Sequence, residues 1–149
     1  MLKARQAYAT IRFMDPTITD TPAAPVDRHV FVYGTLRAGQ ERDINRLHPV
    51  PVFMGFGKIN GTLFDLGSYP GARLGGDRWV QGEIYQVTPE LERQLDEIEE
   101  VWPQQTGEYV RRFVAVQCAG AALPCLVYEV AEAHAKGKVI VASGDWTMR

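Results

Sequence analysis

From Val30 onward, short apolar runs alternate with glycine-marked breaks, the pattern of a strand-rich chain. Val30-Phe31-Val32-Tyr33 is nearly continuous and stops at Gly34, as a buried strand ending in a turn would. Ala38 to Leu47 is polar, with room for a short helix. Val52-Phe53-Met54 and Lys58 to Phe64 read as two strands, with Gly55, Gly57 and Gly61 at positions that often mark bulges or close backbone approach. Ser68-Tyr69-Pro70-Gly71 is a turn signal, and Trp79 to Val87 is a further strand. Arg111 to Cys118 and Cys125 to Val130 read as a hairpin around Ala119 to Pro124. Lys138 to Ala142 is a final strand, followed by Ser143-Gly144-Asp145-Trp146, where Trp146 is expected to pack against the end of the domain.

One helix is well marked. Thr88 suits the N-cap, Pro89 the first helical position, and Glu90 and Glu92 the positive end of the dipole. At about 100° per residue, Leu91, Leu95 and Ile98 fall within roughly 60° of one another and form a buried stripe. Many strands and few helices predict an α+β domain, a curved or closed sheet with a helix against it.

Residues 1–28 differ from the rest. Scattered apolar residues (Tyr8, Ile11, Phe13) lie in a stretch with room for a short helix or strand. A linker rich in Pro, Thr and Asp follows, running from Thr19 to Pro25. The segment is expected to be a flexible extension, with the functional domain over 29–149. At 149 residues, 46% hydrophobic and 23% charged, the chain has the composition of one globular domain. A net charge of -2 without Lys/Arg clusters gives no reason to expect a nucleic acid or an anionic membrane as partner. The apolar runs are too short to cross a membrane, and the N-terminus lacks a secretory h-region, so a cytoplasmic location is expected. Cys118 and Cys125 match no zinc spacing, and His29, His48 and His134 lie far from them; no metal site is expected. A disulfide across the hairpin is the alternative to two free thiols, which a reducing compartment favours.

Three places have the chemistry of a site. In Tyr33-Gly34-Thr35-Leu36-Arg37 a strand runs into a glycine turn, where successive N–H groups can converge on a carboxylate or carbonyl oxygen. An ordinary strand-to-loop turn has the same local signature. Glu99 lies about 70–80° from the centre of the apolar helical stripe, at the border of core and solvent. There a carboxylate is either partly desolvated, and so a stronger base, or simply a solvated helix-end residue. Glu100 points nearly opposite, and Glu92, at a similar angle to Glu99, is already explained by the dipole. Glu83 shares a strand face with Tyr85 and would bind a substrate ammonium group or act as base if that face lines a cavity; a hydrogen-bonded sheet residue is the other reading. Tyr109, Arg111 and Tyr128 are further candidates for a pocket wall. Serine-hydrolase, Walker, dinucleotide and zinc-protease motifs are absent.

Six segments in this order resemble the gamma-glutamylcyclotransferase-like family: Val30 to Arg37, Gly61 to Pro70, Val80 to Tyr85, Leu95 to Glu99, Tyr109 to Arg112, and Ser143 to Trp146. The resemblance spans nearly the whole chain after the extension. It implies a small mixed β-barrel with flanking helices and a cavity, a small-molecule gamma-glutamyl substrate, and no cofactor. It also implies that the backbone at Tyr33, Gly34, Thr35 and Leu36 holds the gamma-glutamyl group. The family's catalytic glutamate, in a Leu-Asp-x-x-Glu pattern, falls on Glu99. Glu83 and Tyr109 complete the expected substrate contacts. Many relatives have Gly after the catalytic glutamate, whereas this chain has Glu100, followed by Val101-Trp102-Pro103-Gln104-Gln105.

The expected reaction is intramolecular: the substrate's α-amine attacks its own γ-carbonyl and releases 5-oxoproline from a gamma-glutamyl amine or amino acid. Free α-amines titrate near 8, so a general base is needed, and Glu99 would serve. A binding protein that keeps the same pocket without turnover is the alternative.

Overall fold

The apolar run at Val30 forms strand β1 (Arg28–Val32), the first element of a computed structural model that describes residues 26–149. The readings for residues 1–25 lie outside the described residues; Arg28, placed in the extension by sequence, already pairs with Val87. β2 (Val52–Asp65) and β3 (Pro70–Val87) are long and antiparallel, and β4 (Tyr109–Cys118) and β5 (Ala121–Val130) form a hairpin. The sheet runs β3-β1-β5-β4-β2, and the β2–β3 pairing closes it into a five-stranded barrel; β6 (Val139–Ile140) adds to β2. Among the described residues only the β1–β5 pairing is parallel, so the barrel is mixed, as expected.

The two strands predicted around Gly55 are one strand, with register shifts at Phe53/Gly55 and at Asn60/Gly61. At the first shift Met54 is the extra residue and bends β2; at the second the extra residues, Gly75 to Arg78, are on β3. The predicted turn at Ser68–Gly71 is real, but β3 starts already at Pro70. The hairpin turn is only Ala119-Gly120, both with positive φ, the backbone that a two-residue connection demands. That register sets Cys118 opposite Ala121 and Cys125 opposite Val114, and both thiols are free. In place of a helix, the polar segment after Arg37 holds successive turns and one 3₁₀ turn (Ile44–Arg46), capped by Asp43, which accepts from the N–H groups of Gly39 and Asn45.

β1 is apolar on both faces because it serves two cores. Phe31 shares a core with Ile59, Leu63, Ala72, Val80, Ile84, Val116, Cys125 and Val127, so side chains from all five strands fill the barrel, with Trp146 in the same core. Val30 and Val32 face a second core with Leu36, Ile44, Tyr85, Leu126 and Tyr128, which helix α1 (Pro89–Ile98) covers through Leu91 and Leu95. The helix starts as its sequence predicts: Thr88 Oγ1 accepts from Leu91 N, and Pro89 stands in the first turn. The described residues contain no helix long and apolar enough to cross a membrane.

Candidate active site

At the end of β1 the chain turns through Gly34, Thr35 and Leu36. The carbonyls of Thr35 and Leu36 accept from the N–H groups of Arg42 and Ile44, at 2.8 and 2.9 Å. The N–H groups of Gly34, Thr35 and Leu36 donate to no protein acceptor among the described residues. The loop after the turn therefore consumes its acceptors and leaves its donors, which suits the turn to an anion or a polarised carbonyl.

This turn forms one wall of a cavity of about 330 Å³. The same cavity is lined by the end of α1 with Ile98 and Glu99, by the Ser68-Tyr69-Pro70 turn, and by Tyr33, Tyr109 and Tyr128. Of the residues singled out by sequence, Tyr33, Gly34, Thr35, Leu36, Glu99 and Tyr109 all line this cavity. Glu83 and Arg111 do not.

Gly34 is glycine for a reason the sequence did not disclose. A Cβ there would stand 2.6 Å from Pro70 Cγ and 2.8 Å from its Cδ, so the missing side chain makes room for the Pro70 ring as well as for a ligand. Pro70 cannot easily retreat, because it is buried and its carbonyl accepts from Tyr109 Oη at 2.6 Å. Gly34→Ala is expected to lower stability by about 1–3 kcal/mol, the usual result of overpacking. Urea denaturation measures this; an unchanged midpoint would mean the two turns are not tightly packed.

Glu99 follows the last residue of α1, and its N–H still donates to Leu95 O at 2.9 Å. The helix is fixed along the same flank: Arg111 on β4 binds Asp96 at 2.7 Å and also Glu92, and Tyr128 donates to Asp96 at 2.7 Å. Arg111 thus clamps the helix and does not line the pocket. Glu99 keeps a little surface, but protein atoms enclose its carboxyl on its other sides, and no hydrogen bond to it is present among the described residues. Burial raises its pKa from 4.5 to about 7; Arg42 opposes the rise, while Glu108 and Glu100 add to it. The phenols around it stay protonated at neutral pH. Burial holds Tyr33 and Tyr109 far above their ordinary value, and the bond to Glu108 pushes Tyr69 up to about 12. Tyr33 is also fully engaged, donating to Tyr128 O at 2.6 Å and accepting from Ala72 N at 3.1 Å.

Glu83 is buried away from the cavity. Its carboxylate accepts from Arg37 Nε and Ala38 N, each at 2.9 Å, and from Tyr85 Oη at 2.8 Å. Arg37 reaches on to Asp145 at 2.8 Å. The expectation that Glu83 meets substrate therefore gives way to a buried triad that ties the glycine turn, β3 and the Gly-Asp-Trp segment together. Sequence reasoning quoted Arg37 and Asp145 inside two motifs but gave neither a role of its own. It also missed Arg42, Tyr69 and Glu108 on the cavity wall. Tyr69 and Glu108 adjoin recognised positions, whereas nothing near Arg42 signals a role.

The family described as "Gamma-glutamyl cyclotransferase, AIG2-like" matches residues 30–148. A protein of Vibrio cholerae serotype O1 named "Putative gamma-glutamylcyclotransferase" is 35% identical over 120 residues, 80% of this chain and 96% of that protein. A Niallia circulans protein named "Gamma-L-glutamyl-butirosin B gamma-glutamyl cyclotransferase" is 34% identical over 91 residues, 60% of this chain and 56% of that protein. The crystal structure of an AIG2-like protein from Mus musculus superposes with a TM-score of 0.59 at 31% identity, covering 71% of this chain and 78% of the mouse chain. The match over the whole barrel shows that the chain belongs to the gamma-glutamyl cyclotransferase, AIG2-like family.

Proposed function

We propose that this protein converts a gamma-glutamyl amine or amino acid into 5-oxoproline and a free amine, with Glu99 as the general base. The observation that carries the reading is the pairing, in one cavity, of a desolvated carboxyl with a turn whose N–H groups have no protein acceptor among the described residues. The turn donors hold the glutamyl group and stabilise the oxyanion that develops on its γ-carbonyl. Glu99 takes a proton from the α-ammonium group, freeing the nitrogen lone pair for attack on the γ-carbon. When the exocyclic C–N bond breaks, Glu99 returns that proton to the departing nitrogen; the second proton that the attacking nitrogen sheds as the lactam forms passes to the released amine, which leaves as its ammonium form, so the base ends the cycle as it began. Ring closure is unimolecular, and holding the glutamyl chain folded therefore supplies much of the acceleration.

A carboxyl near 7 is well matched to this task. It is largely ionised at the pH where the substrate amine, near 8 in water, is still largely protonated. The test is 5-oxoproline release from gamma-glutamyl amines, gamma-glutamyl amino acids and glutathione. Release from at least one, with kcat/KM falling below about pH 7 and again above about pH 8, is the expected result. Tight binding of these compounds without any 5-oxoproline would favour a binding protein. An acidic limb near 4.5 would dismiss Glu99 as the base.

A further inference from the structure

The leaving group is the part of the substrate that the turn and Glu99 do not define, and its selection at this site presupposes the cyclotransferase reading. With the glutamyl group held by the buried turn, the substituent on the departing nitrogen extends toward the open side of the cavity. The exposed lining residues there are Glu41, Arg42, Ser68 and Glu100, with Glu108 half-buried beside them. Arg42 is the one cation among the lining residues. Its charge acts on Glu99, and its Nη1 lies 3.5 Å from Ile98 O at the helix end. Glu108 accepts from Tyr69 through one carboxylate oxygen, and its other oxygen has no donor among the described residues. The mouth therefore presents an excess of negative charge, separate from the base itself.

Glu100 reaches this mouth in a conformation that sequence alone would give to glycine. Its φ is 56°, and the turn closing α1 has the bonds Glu100 N to Glu97 O at 3.1 Å and Val101 N to Asp96 O at 2.9 Å. That is the Schellman arrangement, in which the left-handed residue is ordinarily Gly or Asn. A glutamate here is disfavoured by its own backbone, so neither capping nor packing accounts for it.

We infer that Glu100, supported by Glu41 and Glu108, selects gamma-glutamyl substrates whose leaving amine carries a second positive charge and disfavours those whose leaving group carries a carboxylate. A focused negative potential at a cavity mouth raises the local concentration of a cation and lowers that of an anion. Three probes of equal length distinguish the cases: the gamma-glutamyl amides of 1,4-diaminobutane, of n-butylamine and of 4-aminobutanoate. Expected kcat/KM for 5-oxoproline release falls in that order, by about tenfold per step at low salt, and the steps shrink as salt screens the charges. Glu100→Gln and Glu100→Gly should both cut the cationic-to-neutral ratio by about threefold or more. The Gln variant keeps the strained backbone and the Gly variant relieves it, so a common effect reports charge. Equal kcat/KM for all three probes, or a ratio that falls only in the Gly variant, overturns charge selection and leaves the cyclotransferase reading standing. No 5-oxoproline from any probe overturns charge selection, and the same result with gamma-glutamyl amino acids and glutathione overturns both.

Discussion

Glu99→Gln should lower 5-oxoproline release by about 10²–10⁴-fold, the usual worth of a general base, and should make the folded protein more resistant to unfolding above neutral pH. The second effect follows from the same burial as the first. The Glu99 carboxyl titrates near 7 in the folded chain and near 4.5 when solvated. Between those values the folded state holds more protons than the unfolded state, so this residue's contribution to stability falls as pH rises through that window. Above it the ionised carboxylate is a destabilising element on the order of 3 kcal/mol. Glutamine has nearly the same shape and no charge, and so removes that cost. The variant and the wild type should unfold at similar urea concentrations at about pH 4 and separate progressively to about pH 8.5, with the variant more stable. If the two curves ran parallel at all pH values, the carboxyl would be solvated and unsuited to the role proposed for it. The pairing of lost turnover with gained stability also separates a removed base from a damaged fold, since damage lowers both.

Much of this arrangement was legible in the sequence because local rules and tertiary demands agree. Thr88, Pro89 and the Leu91/Leu95 stripe fix where α1 starts and which side it buries, and the same helical wheel puts Glu99 at the border of that side. The apolar continuity of Val30 to Tyr33 reports a strand with a core on each face. What sequence could not convey is which distant segments share a space. Gly34 is recognisable as a turn, but its contact with Pro70 depends on β1 and β3 meeting in the closed barrel. Glu83 was left between two readings for the same reason, and its contacts match the hydrogen-bonded sheet residue rather than the substrate contact. The alternation on β3 correctly joins it to Tyr85, yet nothing in that segment reveals that Arg37 fills the space beside it. Arg42 was passed over because its place on the cavity wall depends on how a loop of turns folds back, and turns carry no period to read.

The largest expected effect on stability belongs to Glu83. Glu83→Ala removes the acceptor for Arg37 Nε, Ala38 N and Tyr85 Oη in one step. Arg37 is only 6% exposed, so its guanidinium cannot turn to water and is left with Asp145 alone. Removing one partner of a buried ion pair costs about 3–5 kcal/mol, which is a large share of the roughly 5–15 kcal/mol by which domains of this size are stable. Urea denaturation should show that loss. Replacing both charges, as in Glu83→Met with Arg37→Met, should cost less than Glu83→Ala, because no buried charge then lacks a partner. Catalytic output adds a second reading. Ala38 N is the donor that joins Glu83 to the chain just beyond Leu36, so loss of the triad frees the turn that lines the cavity. The double variant should then be well folded and yet have a raised KM for gamma-glutamyl substrates. If instead Glu83→Ala costs under about 1 kcal/mol and leaves KM unchanged, the triad neither holds the fold nor shapes the turn, and the donors beside Gly34 owe their positions to Pro70 and the Arg42 loop alone.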